Sequence, residues 1–247
     1  MCFFLLIFGL DMANVAEMME KSKIFILLST VLTWAKSRQP DPDDKEVPFT
    51  EEDYRRRKPH PKYMKHFEAE KSLVKAAKKA KKSLSTYVVA AGLTYGLGEN
   101  IFHQWFKNGW HNYSELTIID EGQAGQNVLP MIHIIDLAAA LQNLIDTKPK
   151  TRYIIGTDGS KNTQEEIVKA ISGQLSTGKA KRVPLEDVVQ SGLYEEEELD
   201  LLTCDLRMEP STVREAMNIN WKCDNGLVET IGQIVKEFKE HRKLMVS

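Results

Sequence analysis

Apolar residues run without alternation through Lys23–Thr30 (KIFILLST) and again through Thr86–Ala91 (TYVVAA). A strand with one wet face alternates apolar and polar side chains. A run that is apolar throughout predicts a strand covered on both faces, as in a parallel sheet. Between the two runs the period becomes helical. Over Lys65–Lys82, Phe67, Val74 and Ala77 fall on one stripe, while Lys71, Lys75, Lys78, Lys79, Lys81 and Lys82 make the remainder basic. That remainder reads as a solvated helix face rather than a phosphate-binding patch. Glu68 and Glu70 near the start and the lysines near the end suit the helix dipole.

Further along, helices are predicted over Asn100–Trp110, Ile135–Asp146 and Thr163–Gln174, the last opened by a capping box of Thr163 and Glu166. Leu116–Ile119 and Arg152–Gly156 read as short strands and Arg182–Pro184 as a brief extended segment. The remainder reads as helices over Leu185–Gln190, Glu195–Cys204, Glu209–Asn218 and Gly226–Arg242; Leu227, Val228, Ile231, Ile234, Val235 and Phe238 stripe the last. Strand–helix alternation predicts an α/β fold with a parallel sheet. The expected layout is an atypical segment over residues 1–22, an α/β domain over 23–184 and a helical part over 185–247.

Two stretches break the pattern. Ser37–Lys62 carries Pro40, Pro42, Pro48, Pro59 and Pro61; it reads as a long surface loop with one helical turn capped by Thr50 and Asp53, and such loops often border sites. Cys2–Leu10 (CFFLLIFGL) is an apolar run well short of the roughly 20 residues a bilayer requires, and no basic residue precedes it as a secretory signal would need. A buried strand or helix start is expected there, with an altered N-terminus as the second reading. Asp11–Lys21 has helical spacing.

The 247 residues are 42% hydrophobic and 28% charged, with a net charge of −2, so bulk electrostatics points to neither nucleic acid nor an anionic membrane. Cys2, Cys204 and Cys223 are odd in number and form no Cys-x-x-Cys pair, which suits a reducing, cytoplasmic compartment. No metal is expected: the histidines never reach HExxH spacing, and His133, inside an apolar run, reads as a core histidine. Gly173–Ala180 (GQLSTGKA) imitates a P-loop, but Ala180 lacks the hydroxyl that holds magnesium, and the string closes a helix instead of opening one. Gly96-Leu-Gly98, with Asp120 beyond, imitates a dinucleotide fingerprint, but Ile101 replaces its third glycine.

Five segments in order resemble the extended short-chain dehydrogenase/reductase family, the NAD-dependent epimerase/dehydratase-like fold: FILLST at Phe25–Thr30, the helix running through AEKSLVKA, AAGLTYGLGEN from Ala90, IHIIDLAAAL with Asp136 as its acid, and YIIGTDGSKNTQEEIVKAI from Tyr153. The resemblance implies the second half of a Rossmann-like parallel sheet. It implies catalytic candidates Thr30 and Tyr63 and cofactor-binding candidates Ser29, Thr30, Gly92 and Tyr95. The family's Gly-rich phosphate loop belongs to strands that would come earlier than Lys23, so no cofactor is expected; NAD(P) is the one the fold would admit, without that loop.

The family's acid/base Tyr and Lys lie four apart. Aligning on Ala69–Glu70 puts Lys62 and His66 at those positions. Tyr63 is one residue out of register, a rotation of about 100° on a helix, and its partner four on is Phe67. Ala90–Ala91 stand where the family carries Arg-Pro. The expectation is a degenerate, non-catalytic domain; the alternative is an active NAD(P)-dependent epimerase or reductase using Thr30 and Tyr63. FILLSTVLTWA, DPDDKEVPFTEEDYRRRKPHP and KEFKEHRKLM also resemble a dehydrogenase-like region that precedes a kinase domain within the adenylate kinase family. That implies protein partners (a kinase domain or ciliary proteins), no nucleic acid, no membrane, and a cilium or flagellum as location. An unpaired apolar sheet edge is expected to make the chain poorly soluble.

Overall fold

The computed structural model describes residues 23–79 and 84–246; the apolar run Cys2–Leu10 and the helix expected over Asp11–Lys21 lie outside them. In chain order the elements are β1 (Lys23–Thr30), α1 (Met64–Lys79), β2 (Leu84–Ala91), β3 (Leu93–Tyr95), α2 (His103–Trp110), β4 (Leu116–Asp120), β5 (Met131–His133) and α3 (Ile134–Thr147). They continue with β6 (Tyr153–Gly156), α4 (Gln164–Leu175), β7 (Ala180–Pro184), α5 (Leu185–Ser191), α6 (Glu196–Leu202), α7 (Val213–Ala216), α8 (Gly226–Glu229) and α9 (Ile231–Val246). They group into two compact units: Met1–Ala91, Leu137–Gly156 and Glu209–Asn220 form one, and Gly92–Asp136, Thr157–Met208 and Trp221–Ser247 the other.

The first unit is built on a parallel sheet of order β1-β2-β6. Lys23 pairs with Leu84 and Thr30 with Ala91 at the ends of one ladder; Val88 pairs with Tyr153 and Ala91 with Gly156 in the other. The apolar run of β2 is accounted for by burial, since Tyr87 to Ala91 are all buried. β1 is less covered: Leu28 is 41% exposed, and among the described residues only β2 pairs with this strand. α1 packs on β1 and β2, burying Leu73, Ala76 and Glu70. The Pro-rich loop is tied down by backbone bonds, Lys36 N to Lys58 O at 3.0 Å and Glu209 N to Phe49 O at 2.8 Å. Its helical turn at Glu51–Arg55 carries the Thr50–Asp53 capping box expected from sequence.

The second unit holds two parallel pairs, β3-β5 and β4-β7. β3 and β5 have only three residues each, too few to show a period. Gly92 explains how closely they approach: a Cβ there would stand 2.7 Å from Pro130 O. α4 opens on the Thr163–Glu166 capping box. Phe106 and Phe238 meet at 5.2 Å, joining α2 to α9.

Two expected helices are shorter than their patterns suggest. Of Glu209–Asn218 only Val213–Ala216 is helical, because Glu209 N donates to Phe49 O and Ser211 N to Ile155 O, tertiary bonds that compete with the helical ladder. Gly226–Arg242 is interrupted at Thr230, whose hydroxyl turns back to Gly226 O at 2.6 Å. No helix among the described residues is long and apolar enough to cross a membrane.

Candidate functional site

In the first unit Ser29 and Thr30 end β1, the place where an open parallel sheet usually presents chemistry. Neither hydroxyl is uncommitted. Thr30 Oγ1 accepts from Leu32 N at 3.2 Å and caps the short turn Val31–Trp34, while Thr33 Oγ1 donates to Thr30 O at 2.9 Å. Ser29 Oγ donates to the carboxylate of Glu70. Tyr63 closes the turn Pro61–Tyr63, which is held near the end of β1 by His60 N donating to Leu32 O at 2.9 Å. Its ring lies 6.0 Å from that of His60 and 5.5 Å from that of His66. Phe67, four residues on, carries the Arg57 guanidinium over its face at 4.7 Å.

The strongest polar feature of this unit was not anticipated. Glu70, on the inward stripe of α1, is completely buried and pairs with buried Arg57 from the Pro-rich loop. Its oxygens also accept from Ser29 Oγ and, at 3.1 Å, from Tyr153 OH, which in turn accepts Trp34 Nε1–H at 2.9 Å. Arg57 additionally donates to Tyr54 O and lies 4.8 Å from the Tyr153 ring centre. Burial, with the Glu70 charge beside it, pushes the Tyr153 hydroxyl far above its ordinary value, so it stays a donor. Glu70 shares the buried stripe of α1 with Leu73 and Ala76, whereas Phe67 and Val74, expected to face inward, are half-buried; a carboxylate on such a stripe needs hydrogen bonds or a counter-charge.

The second unit contains Gly92 and Tyr95. Gly92 serves the close approach of β3 to β5, as given above. Tyr95 is buried; its OH donates to Asp158 Oδ2 at 2.9 Å and its ring stands edge-on to His133 at 5.3 Å. Burial and the Asp158 charge raise its hydroxyl far beyond the usual tyrosine range, which removes it from proton transfer near neutral pH.

His133 is fully buried. Its Nδ1 accepts from Ile135 N at 3.2 Å, leaving Nε2 to meet Glu237 Oε2 at 3.1 Å. Burial alone would raise the Glu237 carboxyl, but hydrogen bonds from Lys222, Gln233 and His133 hold it below its ordinary value. Ligand atoms of His133, Asp136 and Cys223 all come within 4.8 Å of one another. Sequence spacing could not show this, because Cys223 arrives from far along the chain. Asp136 accepts Lys222 N at 2.7 Å and Cys223 N at 2.9 Å, and burial raises the Cys223 thiol above its ordinary value.

No family model matches the chain. Adenylate kinase 7 from Mus musculus is 47% identical to it over 226 residues, which is 92% of this chain and 36% of the relative. Adenylate kinase 7 from Macaca fascicularis is 41% identical over 177 residues, 72% of this chain and 33% of the relative. The chain thus spans about a third of the length of these curated relatives. Among solved structures it is similar to the human epimerase family protein SDR39U1 with NADPH (TM-score 0.63, 16% identity, 91% of this chain and 69% of that one). It is also similar to dTDP-glucose 4,6-dehydratase from Bacillus anthracis in complex with NAD (TM-score 0.63, 15% identity, 94% and 67%). The fold is therefore the Rossmann-like α/β fold of the epimerase/dehydratase-type short-chain dehydrogenases, as the ordered segments implied.

Proposed function

We propose, from the homology of this chain to a segment of adenylate kinase 7, that it is a dehydrogenase-like domain without turnover, acting as a docking or regulatory module of a nucleoside monophosphate kinase in motile cilia. The observation that carries the non-catalytic reading is the fate of the hydroxyls. Thr30 caps a turn, Tyr95 is locked on Asp158, and Tyr63 faces two histidines with Phe67 at the position four residues on. A tyrosine acid/base needs a neighbouring cation to bring its proton within reach of neutral pH. Here the Arg57 guanidinium over Phe67 is already paired with Glu70.

On this reading the domain retains the sheet and its packing, and its surface contributes by contact. The alternative, an active NAD(P)-dependent epimerase or reductase, is favoured by the likeness to solved structures with NADPH and NAD. Titration of the 247-residue chain with NADH and NADPH, followed by nicotinamide fluorescence, separates the two. The non-catalytic reading expects no saturable binding at micromolar concentration; micromolar binding would favour the enzyme.

A further inference from the structure

Three metal-binding side chains of different chemistry meet inside the second unit. A ring nitrogen of His133 at the end of β5, a carboxylate oxygen of Asp136 in the first turn of α3, and Sγ of Cys223 ahead of α8 lie within 4.8 Å of one another. All three residues are buried and belong to the second unit. Two ligand atoms on one four-coordinate zinc stand about 3.3–3.8 Å apart, from bonds of about 2.0–2.3 Å. The cluster therefore closes on an ion with shifts of about 1 Å, within reach of small side-chain rotations.

Each group has a lone pair to give. His133 Nε2–H is donated to Glu237 Oε2 at 3.1 Å, so Nδ1 carries the ring's lone pair, which now meets only a long 3.2 Å bond from Ile135 N. An imidazole that gives one N–H to a carboxylate and presents its other nitrogen is the arrangement of metal-bound histidines. Asp136 accepts Lys222 N and Cys223 N, which use two of about four lone-pair positions on its carboxylate.

Charge points the same way. Asp136 is 1% exposed, and among the described residues no lysine or arginine side chain pairs with it. Two backbone N–H groups and the start of α3 offset its charge in part; buried charges otherwise are paired or hold metals. A divalent ion with one carboxylate and one thiolate sums to zero, the charge that burial favours. Cys223 supplies the thiolate on binding: the S–H bond breaks, the sulfur pair forms the metal bond and the proton leaves to solvent. Thiolate sulfur disfavours Mg²⁺ and Ca²⁺, and a mixed nitrogen, oxygen and sulfur set suits Zn²⁺.

We infer that His133, Asp136 and Cys223 bind one zinc ion, with Glu237 as a positioning residue for His133 and the fourth position left to water. The ion ties the β5–α3 junction to the segment ahead of α8. The sequence expectation of no metal rests on spacing along the chain, whereas this set is assembled across the 87 residues between Asp136 and Cys223. The inference goes beyond the docking reading and does not depend on it.

The test uses the full 247-residue chain without a histidine tag, stripped with EDTA. Calorimetry with Zn²⁺ should show one site with a dissociation constant of about 1 μM or tighter. At least one proton should be released per ion, read from buffers of different ionisation enthalpy, and the thermal midpoint should rise. Co²⁺ as a probe should give a thiolate charge-transfer band and the visible bands of four-coordinate cobalt, and Zn²⁺ should displace both. Cys223→Ser should remove the thiolate band, while Cys204→Ser keeps it. Cys223→Ser and His133→Gln should each weaken zinc by about a hundredfold or more; Glu237→Gln, which keeps an acceptor for His133, should weaken it about 10–100-fold. Thermal unfolding in EDTA shows which variants keep the fold; where one does not, the cobalt spectrum and proton release of the parent chain decide. No zinc binding at about 100 μM, a cobalt complex without the thiolate band, or unchanged zinc affinity in a folded Cys223 or His133 variant overturns the inference. None of these results bears on dinucleotide binding, which the nicotinamide titration reads independently.

Discussion

Arg57 and Glu70 form a buried ion pair that fastens the Pro-rich loop to the inward face of α1, with side chains only 4% and 0% exposed. Such a pair adds little over an apolar replacement of the same shape, yet removing one partner strands a charge. Glu70→Ala leaves the Arg57 guanidinium buried without its carboxylate and leaves Ser29 and Tyr153 without their acceptor. It should destabilise the chain by about 3–5 kcal/mol in denaturant unfolding. Combining it with Arg57→Met should recover a large part of that loss.

Glu99 makes stability depend on pH. Burial, opposed by the Gly96 N–H it accepts and reinforced by the Glu237 charge, lifts its carboxyl from 4.5 to about 7. A carboxyl whose folded value lies above its unfolded one contributes stability below the unfolded value and loses it as pH rises through the folded value. Stability should therefore fall between pH 4.5 and about 7, by up to about 3 kcal/mol from this group. Glu99→Gln, whose Oε1 can still accept from Gly96 N, should flatten that slope in unfolding curves taken across the pH range.

Gly92 and Gly173 should respond in opposite directions to alanine. At Gly92 the new Cβ would stand 2.7 Å from Pro130 O and 2.9 Å from Met131 C, backbone atoms that cannot rotate away. A loss of about 1–3 kcal/mol or more is expected, as for overpacking. At Gly173, inside α4, nothing lies within 4 Å of the added methyl. Helix propensity alone then predicts a gain of up to about 1 kcal/mol. Thermal unfolding of the two variants reads both signs.

Exposed Leu28 lies on β1, which among the described residues is paired on one side only. An apolar strand edge invites pairing between chains. The chain should self-associate as its concentration rises in light scattering, and Leu28→Lys should reduce that association.

What the sequence made legible was whatever rests on local periodicity. Unalternating apolar runs gave β1 and β2, and the capping boxes at Thr50 and Thr163 gave the turn and helix they open. The three-residue strands β3 and β5 were too short to carry a period, and the ends of α7 and α9 were set by tertiary bonds from Ser211 and by Thr230. The sites divide similarly. Thr30 and Tyr63 follow from the order of motifs, whereas Glu70 reads as a dipole complement because Arg57, its partner, lies in a loop without periodicity. The meeting of His133, Asp136 and Cys223 depends on a contact across 87 residues between Asp136 and Cys223, which no spacing rule reaches.

The most direct test of the account is hydride transfer itself. Oxidation of NADH and NADPH by the 247-residue chain should be followed in the presence of nucleotide-sugar substrates, alongside Tyr63→Phe. The account predicts no turnover above the protein-free rate and no difference between the two proteins. Turnover in the parent chain that is lost in Tyr63→Phe would contradict it, because Tyr63 would then be a working acid/base despite its displaced register and the phenylalanine four residues on.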